Sequence, residues 1–378
     1  MRRLVIICLF LSLMLSVTAV AAEDVGIPSD KEVMCYALSY MQKSQENMNL
    51  DVKDFVHLYD FNGNITGYYV TFSDNSTAKG YMLLSLISGV DPVVELAFDG
   101  MGPLYYSLKQ VDTSIVSYEA VSGIHTDDFE SVYSNVLFLG PDRLYVPLIE
   151  NNYYSVYEQK IETINQSESD AMMASVDIYD GVIDWNDASI NPSSVFKIQS
   201  FTTGNNYWLA TDFVIPDPGN CASTALTNVL WYWGHDRNRA SVNSRTTGTT
   251  SIGRASSIFN VIENSLSAGN TKIQALTNFF SAQPSPGGTW NYTNIPNGSL
   301  YSSFTNALNN NCPLYLGVHT TANASGTNDI GHGMFCLGHA KSTSGVYYLI
   351  VMDGWYRTGR IVNFGYYPYI FAYKIWVS

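Results

Sequence analysis

The chain has 378 residues, 46% of them hydrophobic, and its 33 Asp and Glu outweigh 19 Lys and Arg to give a formal net charge of −14. Such an acidic chain disfavours nucleic acid and anionic membrane surfaces as partners. The length predicts roughly two domains of ~150 residues, and abundant Tyr with scarce Lys predicts more strands and turns than long exposed helices.

The N-terminus reads as an export signal. Arg2 and Arg3 precede an apolar run over residues 4–17, broken only by Ser12 and Ser16, and then the small-residue site Ala19-Val20-Ala21. The run is too short to argue for a spanning helix. Removal of residues 1–22 takes away two arginines and no acid. The expected product is secreted, with no membrane contact after signal removal. Cys35, Cys221, Cys312 and Cys336 remain, too scattered for a disulfide framework, although two could pair.

Ser29-Asp30-Lys31-Glu32 is a capping box, and Val33, Ala37, Tyr40 and Met41 follow at helical spacing. Short strands are predicted at 55–59, 68–72, 80–86 and 92–96, the first two joined by an Asn62-Gly63 turn. One helix and a meander describe a small α+β domain over residues 23–164. The polar, aperiodic stretch Asn165-Gln166-Ser167-Glu168-Ser169-Asp170-Ala171 opens a linker placed at 165–175. A second domain is expected over 176–378.

In that second part Ala222, Ala225, Leu226, Val229, Leu230 and Trp233 predict one buried helical face, with Gly234 as its stop. Helices are predicted at 272–280 and 301–308, and strands at 314–318, 334–337, 347–352 and 369–376. Helices followed by a largely antiparallel sheet are again α+β.

Three residues stand out. Cys221 opens the predicted helix, where the dipole favours a thiolate. His332 sits between Gly331 and Gly333, which lets backbone or substrate approach it closely. Asp353 is the first polar residue after an apolar strand. Nucleophile, base and orienting group in this order suit nucleophilic catalysis. Each residue also has a plain structural role available: a small core thiol, a loop histidine, and an Asp-Gly turn. A zinc site of His332, Cys336 and His339, with Cys312 nearby, is disfavoured because strict strand alternation turns His339 away.

At these residues the chain resembles papain-like cysteine peptidases, within them the streptopain-like and bacteriocin-leader-peptidase-like groups. The likeness lies in Asn220-Cys221-Ala222-Ser223-Thr224-Ala225, in Gly331-His332-Gly333-Met334-Phe335-Cys336-Leu337-Gly338, and in Val351-Met352-Asp353-Gly354-Trp355. Cys312-Pro313-Leu314-Tyr315-Leu316-Gly317-Val318 is similar to the strand that precedes the family's histidine. The resemblance covers about 205–371 and implies a papain-like domain with Cys221 as nucleophile, His332 as general acid and base, and Asp353 as orienting group. No cofactor or metal is implied, and the substrate would be a protein or peptide. Residues 68–72 and 80–85 are similar to a streptopain-like prodomain, which implies a zymogen whose own N-terminal domain is an intramolecular inhibitor. The chain departs from the family before the cysteine. Val214 and Ile215 stand where a Gln usually donates to the oxyanion, leaving the Cys221 N–H and, as a weak second donor, Asn220. Two other functions fit the same residues: an inactive peptidase scaffold used for binding, and a cysteine-dependent acyltransferase or amidase.

Overall fold

A computed structural model of the chain describes residues 27–45, 48–87, 91–107, 136–140, 142–148, 152–157, 160–165, 167, 169–170, 188–198, 207–213, 220–281, 289–319, 331–357 and 359–378. The expected export signal, Gln166, Glu168 and residues 171–175 of the expected linker, residues 176–187 of the expected second domain, and Val214 and Ile215 lie outside them.

Helix α1 (Asp30–Ser44) begins at the predicted capping box. Ser29 Oγ accepts the Glu32 N–H at 3.4 Å, and Glu32 Oε2 accepts the Ser29 N–H at 2.8 Å. Its buried face is Val33, Tyr36, Ala37, Tyr40, Met41 and Ser44. The meander follows as β1 (Asp51–Tyr59), β2 (Ile65–Asp74), β3 (Thr77–Ser85) and β4 (Val93–Ala97). Gly63, at φ +80°, makes the first turn, and Asp60 Oδ1 braces it by accepting the N–H groups of Asn62 and Asn64. Four short strands that the sequence pattern does not announce come next: β5 (Leu137–Phe138), β6 (Leu144–Pro147), β7 (Asn152–Ser155) and β8 (Lys160–Thr163).

The period of two decides which way these residues face. Tyr68, Val70, Phe72, Met82 and Leu84 join the core under α1. Tyr69, Tyr81 and Leu83 face the opposite side and pack with Phe138, Leu144 and Tyr157.

The second half opens with β9 (Phe196–Lys197), then α2 (Cys221–Trp231), α3 (Ala240–Asn243), α4 (Ser251–Ser267), α5 (Lys272–Ser281), β10 (Trp290–Ile295) and α6 (Tyr301–Asn309). It ends in β11 (Leu314–His319), β12 (Gly331–Lys341), β13 (Tyr347–Met352), β14 (Arg360–Asn363) and β15 (Tyr369–Val377). Helices followed by a mostly antiparallel sheet make the chain α+β.

Two predictions about the second half are corrected. Gly234 does not end α2. A π-helical turn, Tyr232–Asp236, carries the chain on to Arg237. Gly234 is small because a Cβ there would stand 2.8 Å from Val242 Cγ1. The burial of α2 is also not one-sided, since every residue of 223–231 is buried. It packs on α4 on one side and on β11 and β12 on the other.

The two halves share one sheet, in the order β10-β15-β11-β12-β13-β14-β4-β3-β2-β1-β5-β6-β7-β8, with β9 on β12. The seam is the antiparallel pair β14–β4, with Ile361 opposite Leu96 and Val362 opposite Glu95. Helix α1 belongs to the same core as α2 and β11–β15. Tyr40 Oη donates to Tyr348 Oη at 3.3 Å, and the Ile190 N–H donates to Ser44 Oγ at 2.8 Å. The predicted boundary at 165–175 therefore lies between halves with a common core. Among the described residues no helix is long and apolar enough to cross a membrane.

A shared core has a measurable consequence. All seven tryptophans lie beyond residue 184, whereas Met41, fully buried, is in the first half. Met41→Ala should cost about 2–5 kcal/mol and lower the tryptophan-detected urea midpoint. An unchanged midpoint would mean that the halves unfold independently.

Candidate active site

Cys221 is the first residue of α2, with Asn220 at its N-cap. Two glycines let the sheet reach this helix tip. A Cβ on Gly333 would lie 3.0 Å from Ala222 Cα and 2.9 Å from Tyr315 Oη, and one on Gly354 would lie 3.1 Å from Thr224 Cγ2. The first turn of α2 is thus clamped between β12 and the turn after β13. Gly354 also needs its freedom, at φ +85°. Asn220 is 2% exposed, and its side chain does not cap the helix.

His332, on β12 opposite Val318, is 4% exposed. Its ring is hydrogen-bonded to the Cys221 thiol. Nε2 is buried and has no partner, which leaves Nδ1 facing the sulfur. Burial pulls the imidazole down, but the Cys221 hydrogen bond and charge, then Asp142 and Asp353, outweigh it and raise His332 to about 9. Burial pushes the thiols of Cys312 and Cys336 up to about 12. None of the four described cysteines is in a disulfide.

Asp353 is placed as predicted at the end of β13 and is fully buried, yet it does not bond to His332. Oδ1 accepts the N–H groups of Trp355 at 2.9 Å and Tyr356 at 3.1 Å. Oδ2 faces Arg360 Nη1 at 3.3 Å. The expected carboxylate on the far imidazole nitrogen is replaced by an Asx-type turn and an ion pair, and Asp353 acts on His332 only through its charge.

The zinc alternative is corrected in its reasoning. A bulge between Cys336 and Gly338 shifts the register of β12, so strict alternation cannot be carried across to His339. His339 is occupied otherwise, with Nε2 2.8 Å from Asn309 Oδ1 and its ring stacked on Phe196. Among the described residues no His, Cys, Asp and Glu are grouped to hold a metal ion.

Sequence reasoning missed the network behind Asp353. Arg360, 1% exposed, sends Nε to Glu95 Oε2 at 3.0 Å and Nη2 to both Glu95 Oε2 and Asp142 Oδ1. Glu95 Oε1 accepts from Tyr81 Oη and Tyr157 Oη, each at 2.9 Å. Tyr367 Oη donates to Asp142 Oδ1 at 3.1 Å. Burial raises Glu95 despite Arg360. The one available signal was a lone arginine opening the apolar run Arg360-Ile361-Val362.

No protein-family model matches the chain, and no curated protein matches it.

Arg360→Met would strand three buried carboxylates. Urea unfolding at pH 7 should show a loss of about 3–5 kcal/mol. Burial and mutual repulsion would raise the carboxyls, and folded-state protonation relieves both, so the loss should shrink as pH falls towards 4.

Proposed function

We propose that the chain is a secreted cysteine peptidase of papain-like arrangement, made with an N-terminal propeptide. The observation that carries this reading is the His332 ring on the Cys221 sulfur at the start of an 11-residue buried helix. The thiolate attacks the substrate carbonyl, and the backbone N–H of Cys221, in the first turn of the helix, is the donor this reading assigns to the oxyanion. The His332 imidazolium then gives its proton to the leaving amine, and the neutral ring activates the water that releases the acyl group.

One observation favours a second reading, an inactive scaffold used for binding. Asp353 is spent on backbone N–H groups and on Arg360, and His332 Nε2 is left without a partner.

Labelling with iodoacetamide at pH 6, located by mass spectrometry, separates the two. Cys221 should react at least ~10-fold faster than a free thiol, which is almost wholly protonated there, and Cys35, exposed on α1, is the internal reference. Casein hydrolysis should vanish in Cys221→Ala. Equal labelling with no hydrolysis would establish the binding reading, and product transfer to an added amine would establish an acyltransferase.

The pH dependence follows from His332. Its proton is required by the leaving amine, so hydrolysis should persist through neutral pH and fall as pH rises through about 9. A limb near pH 6.5 would show that the thiolate–imidazolium pair does not form.

A further inference from the structure

A row of aromatic side chains crosses the sheet on the side of β11 away from β12. Tyr369, Phe371 and Tyr373 take alternate positions of β15 and are each partly exposed, while Ile370 and Ala372 between them are buried. The row passes to the outer strand β10 through Tyr292, 40% exposed, and ends at Trp290. Successive ring centres lie 6.1, 5.7, 6.2 and 6.1 Å apart. Phe371 can rest on β11 only because residue 317 is glycine, where a Cβ would stand 2.2 Å from Phe371 Cζ.

The row reaches His332 from both sides. His319 stacks on Phe371 at 6.1 Å, and its ring comes within 3.2 Å of the Cβ position of Gly331, the residue before His332. Tyr315 stacks on Tyr373 at 5.8 Å, and its Oη comes within 2.9 Å of the Cβ position of Gly333, the residue after it. The charge of this end of the molecule is also distinct. Of the chain's 33 acids none falls between Glu263 and Asp329 and none after Asp353, so α5, β10, β11 and β15 carry no carboxylate side chain. The charges on or beside the row are Lys272, 5.9 Å from the Tyr315 ring, and Lys374 of β15.

We propose that Tyr369, Phe371, Tyr373, Tyr292 and Trp290 form the track along which the Cys221–His332 site holds its substrate. The occupant is an extended peptide with apolar side chains at alternate positions and acidic rather than basic side chains between them. This rests on the cysteine-peptidase reading and adds a substrate class to it. An extended chain repeats its same-side side chains every ~6.6 Å, close to the spacing of the rings, so five rings match about nine residues. The absence of acids and the two lysines favour carboxylates over ammonium groups at close range, where the distant acids of the chain are screened. A second copy paired edge to edge fits less well. Asn291 Oδ1 accepts the Tyr292 N–H at 2.8 Å, so the outer strand blunts its own edge.

The test measures binding of fluorescent nine-residue peptides to full-length Cys221→Ala. One peptide alternates Leu with Glu, a second alternates Leu with Lys, and a third has the composition of the first with its leucines adjacent. The Leu-Glu peptide should bind ~10-fold more tightly than either of the others, and Tyr292→Ala should weaken it ~5-fold. Its margin over the Lys peptide should narrow in strong salt. No binding, equal binding of the three peptides, or an affinity that Tyr292→Ala leaves intact overturns the inference. A dimer in sedimentation that Tyr292→Ala disperses also overturns it and gives the row to a second copy. Should Tyr292→Ala not fold, Tyr373→Leu removes a ring while keeping an apolar side chain, with a loss in the same direction expected and no loss overturning the inference. Iodoacetamide labelling at pH 6 reads the site separately. Fast Cys221 with indifferent peptides sinks this inference alone, whereas selective binding with Cys221 no faster than Cys35 sinks the peptidase reading and the row's service to it.

Discussion

One buried guanidinium holds the two halves of this chain in register. Arg360 meets Glu95 and Asp142 from the first half and Asp353 from the second. Charges taken out of water are tolerable only when paired and fully hydrogen-bonded. Tyr81 and Tyr157 add hydrogen bonds to Glu95, Tyr367 adds one to Asp142, and the Tyr157 ring lies under the guanidinium at 4.6 Å. The cost of leaving any member unpaired fixes the β14–β4 seam, and with it the position of Asp353.

From Asp353 the constraint reaches the sulfur. Its Oδ1 shapes the turn that sets Gly354 against Thr224, while Gly333 approaches Ala222 from β12. A helix tip wedged between two backbones without side chains has little freedom to drift. The same environment separates the thiols by chemistry. Cys312, just before β11, and Cys336, in β12, are buried, and burial suppresses their ionisation. Cys221 lies at a helix start beside a ring that can hold its proton.

Much of the local structure was legible. The Ser29 capping box, the Asn62-Gly63 turn and the strands of the meander follow from capping, turn chemistry and period. A helix start and a pair of glycines mark Cys221 and His332 in the residue string, and the fold brings the two side chains together. Helix α4 is not among the predicted elements, although Ile258, Phe259 and Ile262 repeat at helical spacing. Strands β5 to β8 are too short for a period to show. The π-helical turn after Trp231 was hidden because Gly234 serves a packing contact with Val242, and a stop signal and a contact glycine read alike.

Residue order alone determined where the elements that present Cys221, His332 and Asp353 begin or end, because capping, dipole and alternation act over a few residues. The partners of those groups were decided only by tertiary structure. Asp142 and Arg360 are 218 positions apart and meet at 3.2 Å, and Glu95 and Arg360 are 265 apart. Nothing local distinguishes a buried ion pair from two surface charges. Solvent exclusion does, and that property exists only once the sheet has closed over them.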